Sequence, residues 1–470
     1  MNVQALDIFL GPQRIGVLFR YAMPGAPVIT RFVADEGFAR QALQPSQPLL
    51  SAAFLAPTPD SQRQLWLDIQ SPRFNGRYSA QGGWLLPAWF QNLLPEGVFR
   101  DHVAARRGCD PNDHFEMLAA CGLDLPGNVS ARPAHLDREG LAHLVTQDND
   151  ALEMSVTAEP MEEGVSVSGI QPKLAVLKQG DRYVGRTRSH DSHIIAKLPV
   201  TGRPRLPELE HLSLQLAAAA GVNVCETSLA PLEQLAAEHG YALEDTDGKT
   251  NFLAVRRFDR DVDKALGGRV HCEDFAQVLS VMPEEKYTGG SYLSVAAALM
   301  ALPSLGEPAV HELLRRLAVN ELLGNPDMHL KNIGLIYPDG VTPALSPAYD
   351  IVGYSAFSKS TGHALRILPV EFDAELRSAA ARRATVATVS TVASAAGQKP
   401  RLGPYVLRLF CERLGIPEKP ATAALRRCVA AAARTWPALV AQSLLSAPQK
   451  ARLLAHFQSH PWLSQKVRSA

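Results

Sequence analysis

Gly324-Asn325-Pro326-Asp327-Met328-His329-Leu330-Lys331-Asn332, with Ile333 to Tyr337 behind it and Ser346-Pro347-Ala348-Tyr349-Asp350 beyond, is the most informative segment of this chain. Ahead of it, Val310, Leu313, Leu314, Leu317 and Leu322 fall on an approximate helical face, and Gly324 stands where such a helix would stop. Behind it, the apolar run Ile333-Gly-Leu-Ile-Tyr337 and the turn Pro338-Asp339-Gly340 predict a hairpin that carries the chain back toward Asp350. Asp327, Asn332 and Asp350 would thus share one region. Taken alone, the fragment reads more simply as turn and capping residues, because Asn and Asp are common in loops.

Upstream residues change that balance. Phosphoryl transfer from ATP needs a carboxylate to orient the attacking hydroxyl, plus an Asn and an Asp that hold magnesium against the phosphates. Asp327-x-x-x-x-Asn332 followed by Asp350 supplies those types in that order, at the Asp-to-Asn spacing of a protein-kinase catalytic loop. The alternation Ile194-Ile195-Ala196-Lys197-Leu198 predicts a strand with Lys197 on the face of Ile195, from which an ammonium could reach α- and β-phosphates. The plainer reading is a solvated strand lysine. Glu208 or Glu210, on a helix expected over 207–220 and stopped by Gly221, could pair with Lys197, although both also suit the positive end of a helix dipole.

Two further stretches take meaning from their order. Ser166-Val167-Ser168-Gly169-Ile170-Gln171-Pro172-Lys173 lies between strand-like runs, where a phosphate-covering loop would sit; an ordinary hairpin turn explains the fragment equally well. Val255-Arg256-Arg257-Phe258-Asp259-Arg260 follows a buried strand expected at Phe252 to Val255, where a hinge could offer backbone groups to adenine.

Composition narrows the classes. The 470 residues are 46% hydrophobic and 20% charged, with 47 basic residues against 47 acidic ones, which excludes a disordered tail. A formal charge of zero lacks the basic footprint of a stand-alone DNA-binding domain. Six cysteines without a C-x-x-C pair or zinc spacing fit reduced thiols, and the start lacks a signal-peptide pattern. The most apolar windows are short or interrupted, so no membrane span and a cytoplasmic protein are expected. Short apolar runs broken by Gly and Pro up to Pro87, small strands from Val165 to Leu198 and an Ala-rich helical remainder predict three consecutive parts. These are a β-rich unit over 1–135, a small lobe over 136–255 and a helical large lobe over 256–470.

Taken in order, these motifs resemble those of the HipA family, the serine/threonine kinase toxins of type II toxin–antitoxin systems. The pieces are Asn92-Leu-Leu-Pro-Glu-Gly97, Gly122-Leu-Asp-Leu-Pro-Gly127, Ser166 to Lys173, His193-Ile-Ile-Ala-Lys197, the Glu210 helix, Arg257-Phe-Asp-Arg260, His271-Cys-Glu-Asp274, Lys286-Tyr287, Gly324 to Asn332 and Pro347-Ala-Tyr-Asp350. The resemblance implies an α+β, divergent protein-kinase-like two-lobed fold with a β-rich N-terminal accessory subdomain. It implies Asp327 as the catalytic residue, Asn332 and Asp350 as Mg2+ ligands, and Lys197 as a contact to the phosphates of ATP. It also implies that Ser168, Gly169, Ile170, Gln171, Pro172 and Lys173 cover those phosphates. The Arg256, Arg257 and Phe258 backbone would receive adenine, with His329, Lys331 and Tyr349 lining the site. Ser166 corresponds to a serine whose autophosphorylation inactivates such kinases, and Ser168 is a second hydroxyl in the same loop. The implied partners are a small helix-turn-helix antitoxin, through which operator DNA is met only indirectly, and a translation component such as an aminoacyl-tRNA synthetase as substrate.

Three other readings stand beside this one. The Gly324 to Asn332 stretch also looks like the loops of small-molecule or lipid kinases, against which the β-rich first part speaks. A catalytically silent antitoxin-binding regulator would not need Lys197, Asp327, Asn332 and Asp350 together. A metal-dependent hydrolase built on His329, Asp327 and Asp350 lacks the several histidines such sites recruit.

Overall fold

Asn2–Leu10 and Gln13–Ala22 carry apolar residues on both faces, so the sheet they start must be covered on both sides. The structure is a computed structural model that describes residues 2–22, 27–41, 49–137, 139–140, 153–154, 159–161, 166, 171–185, 191–237, 250–260, 268–358, 362–376 and 401–464. These strands pair antiparallel in the order Ile29–Ala34, Gln13–Ala22, Asn2–Leu10, Val129–Pro133. One face buries Leu6, Ile8, Leu10 and Leu18 in a large core with Phe32, Phe54, Trp66, Phe74 and Trp89, and the other buries Val3, Ala5, Val17 and Phe19 in a smaller one.

A second sheet runs in the order Thr227–Pro231, Asn251–Arg256, Ile194–Lys197, Lys173–Gln179, Arg182–Gly185. One face packs Leu174, Val176, Ile194, Ala196, Phe252 and Ala254 together, while Ala175 and Ile195 on the opposite face pack against the core of the first sheet. These contacts join residues on both sides of the boundary expected near residue 135. The chain forms two compact units: Met1–Val200, Ala230–Pro283 and Leu335–Ala344 make the first, and Thr201–Leu229, Glu284–Gly334 and Leu345–Ala470 the second. Of the small strands expected from Val165 to Leu198, Lys173–Gln179, Arg182–Gly185 and Ile194–Lys197 are present, and of residues 165–167 only Ser166 lies within the described residues. The buried strand expected at Phe252 to Val255 is present as Asn251–Arg256.

Residues 256–283, expected in the large lobe, join the first unit through buried charge. Arg257 Nη1 and Arg260 Nη2 both donate to Asp124 Oδ1, at 2.9 and 2.6 Å, and Arg257 Nη2 and Arg260 Nη1 both donate to Asp259 Oδ2, at 2.9 and 2.8 Å. Ser192 Oγ donates to Asp124 Oδ2 at 2.5 Å and the Gly127 amide to Asp259 Oδ2 at 2.9 Å, so the carboxylates are satisfied from several segments at once. The Gly122–Gly127 and Arg257–Arg260 motifs are thus two halves of one network.

The second unit is helical, and its centre is Gly306–Leu323, buried almost throughout its C-terminal half and packed against Tyr292–Ala301 and Glu418–Gln442. Near its end, buried Glu321 accepts from His363 Nε2 at 2.5 Å, His460 Nε2 at 3.2 Å and the Leu402 amide at 2.6 Å. Burial alone would raise this carboxyl, yet the two histidine bonds outweigh it and hold it well below the usual carboxylate range. Among the described residues no helix is long and apolar enough to cross a membrane.

Removing one member of the buried ion network leaves uncompensated charge, so Asp259→Ala is expected to cost about 3–5 kcal/mol, read from the shift of the denaturant midpoint. Burial pushes the Asp259 carboxyl upward, but Arg257 and Arg260 together bring it from 3.8 down to about 2. Its contribution to stability is therefore full above its ordinary value and is lost as pH falls from about 4 toward 2. The wild-type protein should weaken over that window, and Asp259→Ala should show a flatter acid limb there.

Candidate active site

Gly324, at φ +64, ends the Gly306–Leu323 helix in the left-handed region, and its amide caps the Asn320 and Glu321 carbonyls. Beyond it the loop is held by amides. The Asn325 amide donates to the Asn320 carbonyl at 2.8 Å and Asn325 Nδ2 to Asn320 Oδ1 at 2.5 Å, while Asn325 Oδ1 accepts the Asp327 amide at 3.2 Å. Asn320 Nδ2 in turn donates to the Arg316 carbonyl at 2.7 Å. The Asp327 carbonyl accepts both the His329 amide at 2.9 Å and Asn332 Nδ2 at 2.8 Å, which closes the loop onto the short helix Leu330–Asn332.

Three tyrosines fix this loop from outside. Tyr292 Oη donates to the Met328 carbonyl and Tyr349 Oη to the Lys331 carbonyl, each at 2.8 Å. Burial raises the Tyr292 hydroxyl well above its ordinary value, which keeps it protonated as a donor. The third, Tyr287, donates from Oη to Asp327 Oδ1 at 2.6 Å.

Asp327 and Asp350 are half-buried, while His329, Lys331 and Asn332 are buried. Asp350 has φ +57, a left-handed conformation that Asp tolerates better than most residues. Its approach is held by the Ala348 amide, bonded to the Asn223 carbonyl at 2.8 Å, and by the Cys225 amide, bonded to the Ala348 carbonyl at 2.9 Å. The guanidinium of Arg203 lies 5.2 Å from the centre of the Tyr354 ring. The Tyr354 hydroxyl is raised by burial, against the influence of Arg203 and with that of Asp327 and Asp350. Lys286-Tyr287 is among the motifs of the resemblance, but nothing in the sequence places the tyrosine at Asp327, and Arg203 and Tyr354 have no signal that would single them out.

The other expected site residues belong to the first unit. Lys173 and Lys197 are direct cross-strand partners, both buried, on the face that carries Ala175 and Ile195. The Leu198 amide donates to the Pro172 carbonyl at 2.9 Å and Gln171 Nε2 to the Leu198 carbonyl at 3.2 Å, which fixes the end of the expected phosphate loop. Ser168, Gly169 and Ile170 lie outside the described residues. Ser166 is buried, with its hydroxyl bonded to the Leu93 carbonyl and its amide to the Asp124 carbonyl. Of the expected hinge, Arg256 is exposed and Phe258 half-buried. Arg257 differs: its amide donates to the His193 carbonyl at 2.9 Å and its guanidinium is spent in the Asp124 network, so neither is open to adenine. Glu208 and Glu210 are buried on the Leu206–Ala219 helix of the second unit.

A family model described as the HipA-like C-terminal domain matches residues 165–436, more than half of the chain, and one described as the HipA N-terminal domain matches residues 6–132. The chain belongs to the HipA family. It is 37% identical over 271 residues to the putative kinase Y4dM of Sinorhizobium fredii, covering 57% of this chain and 62% of the relative. To the putative kinase Y4mE of the same organism it is 30% identical over 296 residues, covering 57% and 64%. The matches thus span just under two thirds of these two relatives. Similarity to the serine/threonine-protein kinase toxin HipA of Shewanella oneidensis is 25% over 398 residues, covering 78% and 80%. A chain of the solved complex of Shewanella oneidensis HipA, HipB and operator DNA superposes with a TM-score of 0.63 over 99% of both chains at 20% identity. The fold of this HipA-family chain is accordingly α+β and kinase-like.

The donor set suits magnesium with a triphosphate. Because Asn332 Nδ2 is engaged by the Asp327 carbonyl, the amide oxygen is the atom left to meet a cation, and the Asp350 carboxylate adds a second hard oxygen. Magnesium commonly takes one or two protein ligands and completes its shell with phosphate and water. No group of three or more His, Cys, Asp or Glu that could hold a metal ion occurs among the described residues.

Asn325→Ala should loosen the loop without touching its titratable groups. Loss of its bonds to Asn320 and to the Asp327 amide is expected to cost about 1–3 kcal/mol, and hydrogen exchange at the Asp327 and His329 amides should speed up while that of the Leu313–Leu317 amides stays slow.

Proposed function

We propose that this chain is an ATP- and Mg2+-dependent serine/threonine protein kinase that acts as the toxin of a toxin–antitoxin pair. The observation that carries the reading is the Asp327 loop, in which the Asp327 amide is bonded to Asn325 Oδ1 and Asn332 Nδ2 to the Asp327 carbonyl, with Asp350 further along the chain in a left-handed conformation. In the reaction, the acceptor hydroxyl oxygen forms a bond to the γ-phosphorus, the bond from that phosphorus to the β–γ bridging oxygen breaks, and ADP leaves with the electron pair. Asp327 takes the acceptor proton. Magnesium, held by Asn332 and Asp350, would neutralise charge on the phosphates, and Lys197 with Lys173 would meet them from the strands. Gln171, Pro172, His329, Lys331 and Tyr349 set the backbone around these groups.

A small helix-turn-helix antitoxin is the proposed partner, with operator DNA met through it, and a translation component such as an aminoacyl-tRNA synthetase the proposed substrate, in the cytoplasm. Neutral net charge supports a DNA contact made by the partner. Ser166 and Ser168 are the proposed autophosphorylation positions. The buried Ser166 hydroxyl must leave its bond to Leu93 to be modified, and a phosphate there adds about −1.5 to −2 charges, which would prevent its return.

Expression of the wild-type chain should arrest growth and Asp327→Asn should not, because an amide cannot accept the proton. Equal arrest by both would replace phosphoryl transfer with binding as the active principle. Calorimetry with magnesium should find ATP bound more weakly by Asp350→Ala, with most of the metal dependence gone. Mass spectrometry after incubation with ATP and magnesium should place phosphate in the 166–173 peptide of the wild type alone. Label transferred only to small hydroxyl compounds, and to no protein, would favour the small-molecule kinase.

A further inference from the structure

Tyr287 is separated from Asp327 by forty residues of chain, yet its hydroxyl is bonded to the carboxylate at 2.6 Å, the short length of a charge-assisted O–H to O⁻ bond. The contact is built from the backbone outward. Thr288 and Gly289 donate their amides to the Glu285 carbonyl at 2.9 and 2.6 Å, a tight turn that carries Tyr287, and the Leu330 amide donates to the Lys286 carbonyl at 3.2 Å, which sutures that turn to the loop. The Tyr287 ring then stands edge-on to His329, with centroids 4.8 Å apart and planes at 89°. The ring is 39% exposed, so burial alone does not explain its placement.

We propose, resting on the kinase reading above, that Tyr287 is a positioning residue for Asp327. The terminal torsion of an Asp side chain is broad, so packing alone leaves the plane of its carboxylate loosely defined. A hydroxyl held by a sutured turn restricts that freedom through Oδ1 and so orients the carboxylate that takes the acceptor proton. Misalignment of a base is paid for in turnover rather than in nucleotide affinity, because Tyr287 acts through Asp327 and not on the triphosphate.

The test uses the full-length chain, with ATP labelled at the γ-phosphate and the folded Asp327→Asn chain supplied as protein acceptor; total label transferred to protein is followed against ATP concentration. Tyr287→Phe keeps the edge contact to His329 and removes the hydroxyl alone. It should lower kcat about tenfold with KM for ATP unchanged, the size expected for one hydrogen bond to a charged group. Tyr287→Ala, which also removes the ring, should fall further. An unchanged or raised kcat in Tyr287→Phe overturns the role, the latter by showing that the hydroxyl competes with the acceptor. A parallel change in KM and in the unfolding midpoint overturns it too, in favour of a structural prop. Absence of transfer by the wild-type chain overturns the kinase reading and this role with it, whereas transfer by wild type that ignores Tyr287→Phe overturns the role alone.

Discussion

A polar group shut away from water must find a partner, and the C-terminal end of the Gly306–Leu323 helix buries three of them within six residues, Asn320, Glu321 and Asn325. That constraint organises the second unit. Asn320 and Asn325 satisfy each other side chain to side chain, and in doing so they dictate the path of the loop that presents Asp327. Glu321, one position on and facing the other way, collects His363, His460 and the Leu402 amide, so segments from the far end of the chain converge on the same turn of helix. The loop and the C-terminal helices are therefore anchored to one place for one reason. Leaving any of these groups unpaired in the interior would cost more than the hydrogen bond itself is worth.

The first unit meets the same demand with full charges. Two carboxylates and two guanidiniums would be expensive to bury singly, but Asp124 and Asp259 each take both arginines, and Ser192 and the Gly127 amide complete the acceptor sites. Such a network stabilises only when complete, so it specifies which strand ends must meet. Around Glu273 the pattern recurs on a smaller scale, with Ser51, the Ala52 amide, Trp89 and Tyr337 all donating to one buried carboxylate.

Chemically, the two units carry different parts of the expected machinery. The Lys173 and Lys197 pair in the first is a concentration of positive charge on one strand face, and the Asp327, Asn332 and Asp350 set in the second offers hard oxygen. What distinguishes the second from any polar loop is rigidity. The Asp327 carbonyl is claimed by Asn332 within the loop and those of Met328 and Lys331 by tyrosines from other segments, and such preorganisation is what makes a carboxylate useful in a reaction rather than a mere turn residue.

Much of this was legible in the residues themselves. Alternation placed Ile195 and Lys197 on one face of a strand, and helical periodicity ending at Gly324 located the loop, because these patterns follow from local backbone geometry with periods of about 2 and 3.6. Order and spacing of Asp327, Asn332 and Asp350 suggested phosphoryl transfer only together with the upstream residues, since the fragment alone also reads as turns and caps. The joining of Arg257-Phe-Asp-Arg260 to the first unit was not legible, since nothing local in it reveals that its partner is Asp124, more than a hundred residues earlier. Tyr287 stood among the quoted motifs with no hint of its contact to Asp327, while Arg203 and Tyr354 were silent, as were His363 and His460 around Glu321. Propensity and periodicity are properties of neighbouring residues and can be read from a string. The pairing of buried charges, and the tyrosine that steadies a carboxylate, depend on which distant segments share one desolvated volume, and only the tertiary structure decides that.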